Sequence, residues 1–227
     1  ARETAYIAWQ AAQLCYEAGL PKDALQFVLA EDTVATALIT DERVKTVVLT
    51  GGTDTARLFK RLRPDLHLLA ETGGKNPMIV SRFADFDSAV TSLVQSAFGH
   101  AGQKCSATSL LIISEELAED TRFQEQLIDA ASSMYMGSAW DLDSRVTPLI
   151  HPPEGALLKG LTELEEGESW WLEPSPSPDN PRIWSPGIKV GVKPNSFSHV
   201  TEFFGPLLSV LVAEDMDEAL AWANGTA

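Results

Sequence analysis

Residues 44–72 have the sequence VKTVVLTGGTDTARLFKRLRPDLHLLAET, and this stretch decides the class of the fold. The β-branched run VKTVVLT (44–50) predicts a fully buried strand, and GGTDTARLFKRL (51–62) predicts a glycine turn that opens a helix. The apolar segment HLLAET (67–72) predicts a second strand. This strand–helix–strand order favours a parallel pair joined by a right-handed crossover, and therefore an α/β fold.

The same alternation continues on both sides of this stretch. Further helices are predicted over residues 1–18, 32–40, 85–102, 118–134, 153–167 and 216–224. Further strands are predicted over residues 25–30, 77–81, 107–114, 147–150, 188–192 and 207–214. The Pro- and Ser-rich run EPSPSPDNPRIWSP (173–186) is too short for a domain linker, so it predicts a surface loop.

Composition and charge limit the kinds of partner. The 227 residues carry a formal net charge of −15, and the 17 Lys and Arg are scattered along the chain. Nucleic acids and anionic membrane surfaces are repelled by such a chain, so neither is expected as a partner. Two distant cysteines, Cys15 and Cys105, form neither a disulfide scaffold nor a zinc motif. We therefore expect free thiols, no metal and a cytoplasmic location.

The segment AGQKCSA (101–107) places a cysteine between small residues, just after a glycine-containing turn and before a predicted strand. A substrate can approach a thiol in such a turn, and the neighbouring Lys104 or a helix terminus can stabilise the thiolate. Cys105 is therefore a candidate nucleophile. On this segment alone a buried structural cysteine is an equally good interpretation, because free thiols are often buried.

Two glycine-containing segments flank the strand that ends near residue 72. In AETGGKNP (70–77), Glu71 lies at a strand end and is a candidate general base, although a solvated loop acid is the simpler local interpretation. In TGGTDTA (50–56), Gly51 and Gly52 open a helix whose free N–H groups suit a pyrophosphate. This segment lacks the G-x-G-x-x-G spacing, so a plain turn is also consistent with it.

The segment TEFFGP (201–206) joins an acid to two aromatic residues and a Gly-Pro turn. Glu202 is a candidate acceptor for ribose hydroxyls, and one of the aromatic rings is a candidate to flank a planar ligand. On local grounds a hydrophobic turn at the start of a strand explains the same residues.

Taken together and in order, these segments resemble the aldehyde dehydrogenase superfamily. LTGG (49–52), LLAETGGK (68–75), GQKCSA (102–107) and EFFGP (202–206) are similar to its FTGS, LELGGK, GQxCxA and E-x-FGP motifs. The resemblance implies an α/β fold, with part of a Rossmann-like NAD-binding domain at 1–71 and most of a catalytic domain at 72–227.

The resemblance also implies roles for individual residues. Cys105 would be the nucleophile and Glu71 the general base, with Gly51 and Gly52 at the pyrophosphate of NAD. Glu202 would hold the nicotinamide ribose, and Phe204 would pack near the nicotinamide. The implied chemistry is oxidation of an aldehyde through a cysteine thiohemiacetal and a thioester.

A finer resemblance is to L-glutamate γ-semialdehyde (1-pyrroline-5-carboxylate) dehydrogenases, especially the domain fused to proline dehydrogenase in bifunctional proline-utilisation enzymes. It is carried by AETGGKNPMIV (70–80) and QSAFGHAGQKCSATSLL (95–111). It implies that Ser106 contacts the carboxylate of a small aldehyde substrate, that a proline dehydrogenase domain can precede the chain, and that the parent is a homo-oligomer. Another semialdehyde dehydrogenase, such as a succinate semialdehyde enzyme, and a non-catalytic protein on a dehydrogenase scaffold stay open as alternatives.

Two departures from the family pattern concern the cofactor side. Ala30, Glu31 and Asp32 stand where glycines usually follow the first strand, and Gly52 replaces the serine of FTGS. The chain also begins and ends beside helices, which predicts a piece of a longer enzyme. Because family residues outside the piece would be missing, the chain alone is expected to be inactive.

Overall fold

The computed structural model describes residues 2–226 and divides the chain into two compact units, Ala1–Thr72 and Gly73–Ala227. The first unit contains helices α1 (Ala5–Glu17) and α2 (Asp32–Thr40), strand β1 (Thr46–Gly51), helix α3 (Thr53–Leu62) and strand β2 (His67–Thr72). Strands β1 and β2 pair in parallel, with Thr46 opposite His67 and Gly51 opposite Thr72. The parallel strand pair predicted for residues 44–72 is therefore confirmed.

Two expectations for the first unit are wrong. Residues 25–30 form no strand, because no strand among the described residues pairs with them, and apolar character alone does not make a sheet. Strand β1 is not fully buried: the Val48 side chain is 71% exposed, and Leu69 on β2 is 50% exposed. A sheet of two strands leaves much of its apolar surface uncovered within this unit.

The second unit is built on a five-stranded sheet. Its elements, in chain order, are β3 (Asn76–Val80), α4 (Phe86–Phe98), β4 (Thr108–Ser114), α5 (Glu115–Glu119), α6 (Thr121–Ser132), α7 (Gly155–Thr162), β5 (Ser169–Leu172), β6 (Gly187–Val190), α8 (Phe197–Val200), β7 (Leu207–Ala213) and α9 (Met216–Asn224). The strand order is β3-β4-β7-β6-β5; the first four strands are parallel, and β5 is antiparallel to β6.

Both faces of this sheet are covered. Along β4, Leu111 and Ile113 belong to the larger core, which includes residues of α4 and α6, whereas Leu110 and Ile112 pack in a smaller core with residues of α9. All four side chains are at most 1% exposed. The apolar run of β4 is continuous, rather than alternating with polar residues, because helices lie on both faces of the sheet.

Several element boundaries differ from the sequence prediction. The helix predicted over 85–102 ends at Phe98 and is followed by a 3₁₀ turn, because His100, Ala101 and Gly102 adopt positive φ angles that an α-helix does not accept. The helix predicted over 118–134 is two helices, with Asp120 capping the second by accepting bonds from the backbone N–H groups of Arg122 and Phe123.

Strand β5 and helix α8 were not predicted, and residues 147–150 form no strand: next to them, Val146 makes only an isolated bridge to Met136. The helix predicted over 153–167 spans only Gly155–Thr162. Asp85, one of two predicted caps of α4, accepts a bond from the Ser88 backbone N–H at 2.8 Å. None of the helices among residues 2–226 has the length and apolar character needed to cross a membrane.

Candidate functional site

Three loops of the second unit meet at one edge of the sheet. They precede β3, β4 and β7, and because these strands are parallel their amino-terminal ends lie at the same edge. The first loop carries Gly73 and Lys75, the second is the 99–107 loop with Cys105, and the third is the 201–206 turn. Open α/β sheets usually bind ligands at the opposite side, beyond the carboxyl ends of their strands.

The 99–107 loop is held in a strained conformation. His100 and Ala101 have φ angles of 54° and 53°, a region that non-glycine residues rarely adopt, and Gly102 follows with a φ of 67°. A Cβ atom on Gly102 would collide with the Gly205 carbonyl oxygen, so the glycine allows this loop to lie directly against the 201–206 turn.

Cys105 presents its thiol to solvent while its backbone is fixed. The residue is exposed and forms no disulfide. The Asn76 Nδ2 group donates hydrogen bonds to the carbonyl oxygens of Cys105 at 2.7 Å and Ala107 at 3.0 Å. Ser106 lies between these two carbonyls and is also exposed. One amide therefore holds the backbone on both sides of Ser106, which favours an accessible nucleophile over a buried structural cysteine.

Replacing Asn76 by Asp is expected to misplace Cys105. The substitution removes both donated bonds and sets a carboxylate against two carbonyl oxygens. Small misplacements of reacting groups can reduce rates by about 10², so we expect a loss of that order in the rate of any reaction that Cys105 carries out in the full-length protein. Steady-state kinetics and the alkylation rate of Cys105 by iodoacetamide measure the effect. The control is Asn224→Asp, which removes a single bond from Nδ2 to the Leu220 carbonyl; equal activity in both variants would contradict this role.

Gln103 ties the 99–107 loop to two other segments. Its Nε2 group donates to the Phe204 carbonyl at 3.1 Å, and its Oε1 atom accepts from the Ile150 backbone N–H at 2.9 Å. Sequence reasoning missed both Gln103 and Asn76 as site residues. Each is a polar amide within a glycine-containing motif, and this was the only sign of its role in the sequence. Gln103 bonds to Phe204 and Asn76 bonds to Cys105, and both partners are distant in the sequence.

The 201–206 turn separates its two aromatic residues. Phe203 is buried and packs edge-on against Phe197, with the ring centres 5.5 Å apart. Phe204 has a φ angle of 54°, and its side chain is 38% exposed. Glu202 is exposed, and a Cβ atom on Gly73 would collide with its carboxylate. The turn thus offers an exposed ring and an exposed carboxylate, the two groups expected to face a nicotinamide riboside.

The remaining predicted residues lie in the first unit, at the carboxyl end of the β1–β2 pair. Glu71 is exposed and stands opposite Thr50, and Gly51 ends β1. Gly52 is the N-cap of α3, whose first turn has no side-chain acceptor, and no atom comes within 4 Å of a Cβ placed on Gly52. Open N–H groups at a helix start fit a pyrophosphate, although Asp54 in the same turn opposes it.

The structure therefore places the predicted residues in two sets. Cys105, Ser106, Glu202 and Phe204 lie on touching loops of the second unit. Glu71, Gly51 and Gly52 share one edge of the small sheet in the first unit. No group of three or more His, Cys, Asp or Glu side chains within residues 2–226 is arranged to hold a metal ion.

Curated relatives match nearly the whole chain at modest identity. A putative succinate-semialdehyde dehydrogenase [NADP(+)] 2 of Mycobacterium tuberculosis (strain ATCC 25618 / H37Rv) is 31% identical over 229 residues, which are 99% of this chain and 44% of the relative. A 1-pyrroline-5-carboxylate dehydrogenase of Geobacillus sp. (strain WCH70) is 28% identical over 236 residues, covering all of this chain and 45% of the relative. The chain thus spans less than half the length of these relatives.

Solved structures share the fold. Proline utilization A from Corynebacterium freiburgense superposes with a TM-score of 0.90 at 40% identity, over 96% of this chain and 22% of that one. A betaine aldehyde dehydrogenase double mutant from Staphylococcus aureus, in complex with NAD+, superposes with a TM-score of 0.84 at 25% identity, over 95% and 44%. The sequence pattern of the aldehyde dehydrogenase family matches residues 1–227. The chain belongs to the aldehyde dehydrogenase family.

Proposed function

We propose that the full-length protein is an NAD-dependent aldehyde dehydrogenase that oxidises L-glutamate γ-semialdehyde to L-glutamate. The observation that carries the reaction type is the exposed Cys105 on a backbone held by Asn76, in a loop that touches the turn bearing Glu202 and Phe204. In this proposal Ala1–Thr72 is part of the cofactor domain and Gly73–Ala227 is part of the catalytic domain.

Each unit, taken by itself, carries residues of a kind that can bind one part of NAD. The open N-terminus of α3 at Gly51 and Gly52 can receive the pyrophosphate, Glu202 can accept the ribose hydroxyls, and the exposed Phe204 ring can flank the nicotinamide. When bound there, NAD supplies the acceptor for the hydride. The S. aureus enzyme was crystallised with NAD+, which supports NAD, whereas the M. tuberculosis relative is named for NADP(+).

The chemistry assigned to the chain has two stages. The Cys105 thiolate forms a bond to the aldehyde carbon, and the carbonyl oxygen becomes an oxyanion, giving a thiohemiacetal. Loss of the hydride from that carbon re-forms the carbonyl and leaves a thioester on Cys105. In the second stage Glu71 takes a proton from a water molecule, whose oxygen attacks the thioester, and the Cys105 thiolate departs from the carboxylic acid product.

The substrate proposal rests on two kinds of support. The segments that flank Glu71 and Cys105 are similar to those of glutamate semialdehyde dehydrogenases, and the C. freiburgense and Geobacillus proteins are a proline utilization A and a 1-pyrroline-5-carboxylate dehydrogenase. The M. tuberculosis relative favours a second candidate, oxidation of succinate semialdehyde. A panel of semialdehydes and uncharged aldehydes, assayed by NADH formation with the full-length enzyme, separates the two.

Ser106→Ala tests the substrate proposal at one residue. The exposed Ser106 hydroxyl follows the nucleophile and is assigned to the substrate's carboxylate. A hydrogen bond to a charged group contributes about 1.5–3 kcal/mol, so KM for glutamate semialdehyde should rise roughly ten- to a hundredfold while short uncharged aldehydes change little. Ser132→Ala, at an exposed serine on α6, is the matched control. Equal losses for both classes of aldehyde would leave Ser106 without a role in substrate selection.

A further inference from the structure

Lys75 is a buried cation, and residues 2–226 place no carboxylate within ion-pair distance of it. The residue is only 3% exposed, and its Nζ group donates to the Ser209 hydroxyl on β7 at 3.2 Å. Within the described part of the chain, no carboxylate lies within 4 Å of this ammonium. Buried lysines are usually paired with an acid. An unpaired one, placed beside the candidate site, therefore calls for a physical reason.

The charges around Lys75 do not neutralise it. Lys189 on β6 is also buried, and its ammonium is paired with Glu168 at 3.2 Å rather than shared with Lys75. Burial, followed by repulsion from Lys189, lowers the pKa of Lys75 to about 7, and the more distant Glu168 and Glu202 raise it only in part. The neighbouring His199 has a lowered pKa, mainly because of burial and partly because of Lys75. Lys75 thus changes its charge near neutral pH.

Besides the Ser209 hydroxyl, the Lys75 ammonium contacts an aromatic ring in the 201–206 turn. Nζ of Lys75 lies 4.2 Å from the centre of the Phe203 ring. This cation–π contact is shielded from water because both residues are buried. Two residues earlier, Gly73 lies directly against the Glu202 carboxylate. The segment before β3 therefore contacts the turn at two adjacent residues, Glu202 and Phe203. Phe204, the exposed ring, is the next residue in the same turn.

We propose that Lys75 is a positioning residue for the cofactor, whose charged ammonium holds Phe203 so that Glu202 and Phe204 face the nicotinamide riboside. Lys75 itself is too deeply buried to touch the cofactor, so its effect is transmitted through the turn. The inference rests on the proposed cofactor roles of Glu202 and Phe204. It does not depend on which aldehyde is oxidised.

A rise in pH is expected to affect NAD+ binding and folding stability in opposite directions. Below pH 7 Lys75 is protonated and the cation–π contact is complete; as pH rises through about 7 the contact weakens, so NAD+ should bind less tightly. Folding stability runs the other way. Because the ordinary pKa of 10.5 lies above the value in the folded chain, the unfolded chain binds more protons between pH 7 and 10.5, and stability rises with pH there.

The test measures the Kd for NAD+ of the full-length enzyme by titration calorimetry, without aldehyde, between pH 6 and 8.5. For the wild type we expect Kd to rise about tenfold over this range, and for Lys75→Met we expect weak binding that no longer depends on pH. Lys159→Met is the matched control, because the exposed Lys159 makes a cation–π contact of the same length, 4.2 Å, with Phe197. It should follow the wild type.

The melting temperature of the cofactor-free enzyme at pH 6 separates positioning from a structural role. Lys75→Met should melt at the same temperature as the wild type or higher, because a buried charge is removed. Weak binding together with a lower melting temperature, or an unchanged pH dependence in the variant, overturns the inference. If Lys75→Met does not fold, Ser209→Ala replaces it: loss of the acceptor disfavours the charged form, so the midpoint of the binding profile should move to lower pH.

The outcomes distinguish this inference from the proposed function. A wild type that binds NAD+ but makes no NADH from glutamate semialdehyde contradicts the proposed substrate and leaves Lys75 to be judged by binding. An active wild type whose Lys75→Met variant binds NAD+ normally contradicts only the positioning role.

Discussion

Replacing Cys105 by alanine in the full-length enzyme is expected to reduce aldehyde-dependent NADH formation by at least about 10⁴-fold, the scale on which removal of a nucleophile acts. The exposed thiol is the group that forms the covalent bond in both stages of the proposed reaction, and alanine has no nucleophilic side chain. NAD+ binding and the melting temperature should be nearly unchanged, because the Asn76 bonds are made to the backbone of this loop.

The chain offers a matched control in its only other thiol. Cys15 lies in α1 and is partly buried, and Cys15→Ala should keep wild-type turnover. Substantial NADH formation by Cys105→Ala, or inactivation by Cys15→Ala in a folded sample, would show that the nucleophile has been assigned to the wrong residue.

The second large effect is expected for Glu71→Gln, and it should fall on one stage only. The amide has the same shape as the carboxylate but cannot take a proton from water, so hydrolysis of the thioester should slow by about 10²–10⁴. Formation of the thioester does not use this proton transfer. Rapid-mixing kinetics should therefore show a burst of NADH close to one per active site, followed by very slow turnover.

Glu42→Gln is the control for Glu71→Gln, because it makes the same chemical change at an exposed acid of the same unit. It should leave both phases intact. If the burst and the steady-state rate of Glu71→Gln fall together while the fold is unchanged, Glu71 acts before hydrolysis. The proposal that it acts only in hydrolysis of the thioester is then wrong.

The helices and strands that were predicted correctly are those whose formation depends on residues close together in the sequence. The β-branched run of β1, the glycine pair that opens α3 and the acidic cap of α4 each depend on a few neighbouring residues. The failures depend on distant partners. LQFVLA (25–30) has the composition of a strand but nothing among the described residues pairs with it, and SWWL (169–172) becomes a strand only because β6 lies beside it.

The same distinction holds for the candidate site. Motifs indicated Cys105 and Glu202 as candidates because a thiol and a carboxylate are visible in the residue type. The residues that contact their loops were missed. The Asn76 amide donates to carbonyl oxygens of another loop. Lys75 contacts Phe203 because β3 and β7 belong to the same sheet. Lys189, within the apolar strand GIKV, is buried for a similar reason, because its acid, Glu168, comes from a separate loop.

The most direct test of the central claim is to locate the covalent intermediate. The full-length Glu71→Gln enzyme, mixed with glutamate semialdehyde and NAD+ and quenched in acid, should retain its thioester long enough for peptide mass mapping. We predict the mass of the glutamyl group on the peptide that contains Cys105, at close to one per subunit, and only the unmodified mass on the peptide that contains Cys15. An adduct on Cys15, or NADH formed in the burst with no adduct on Cys105, would contradict the account.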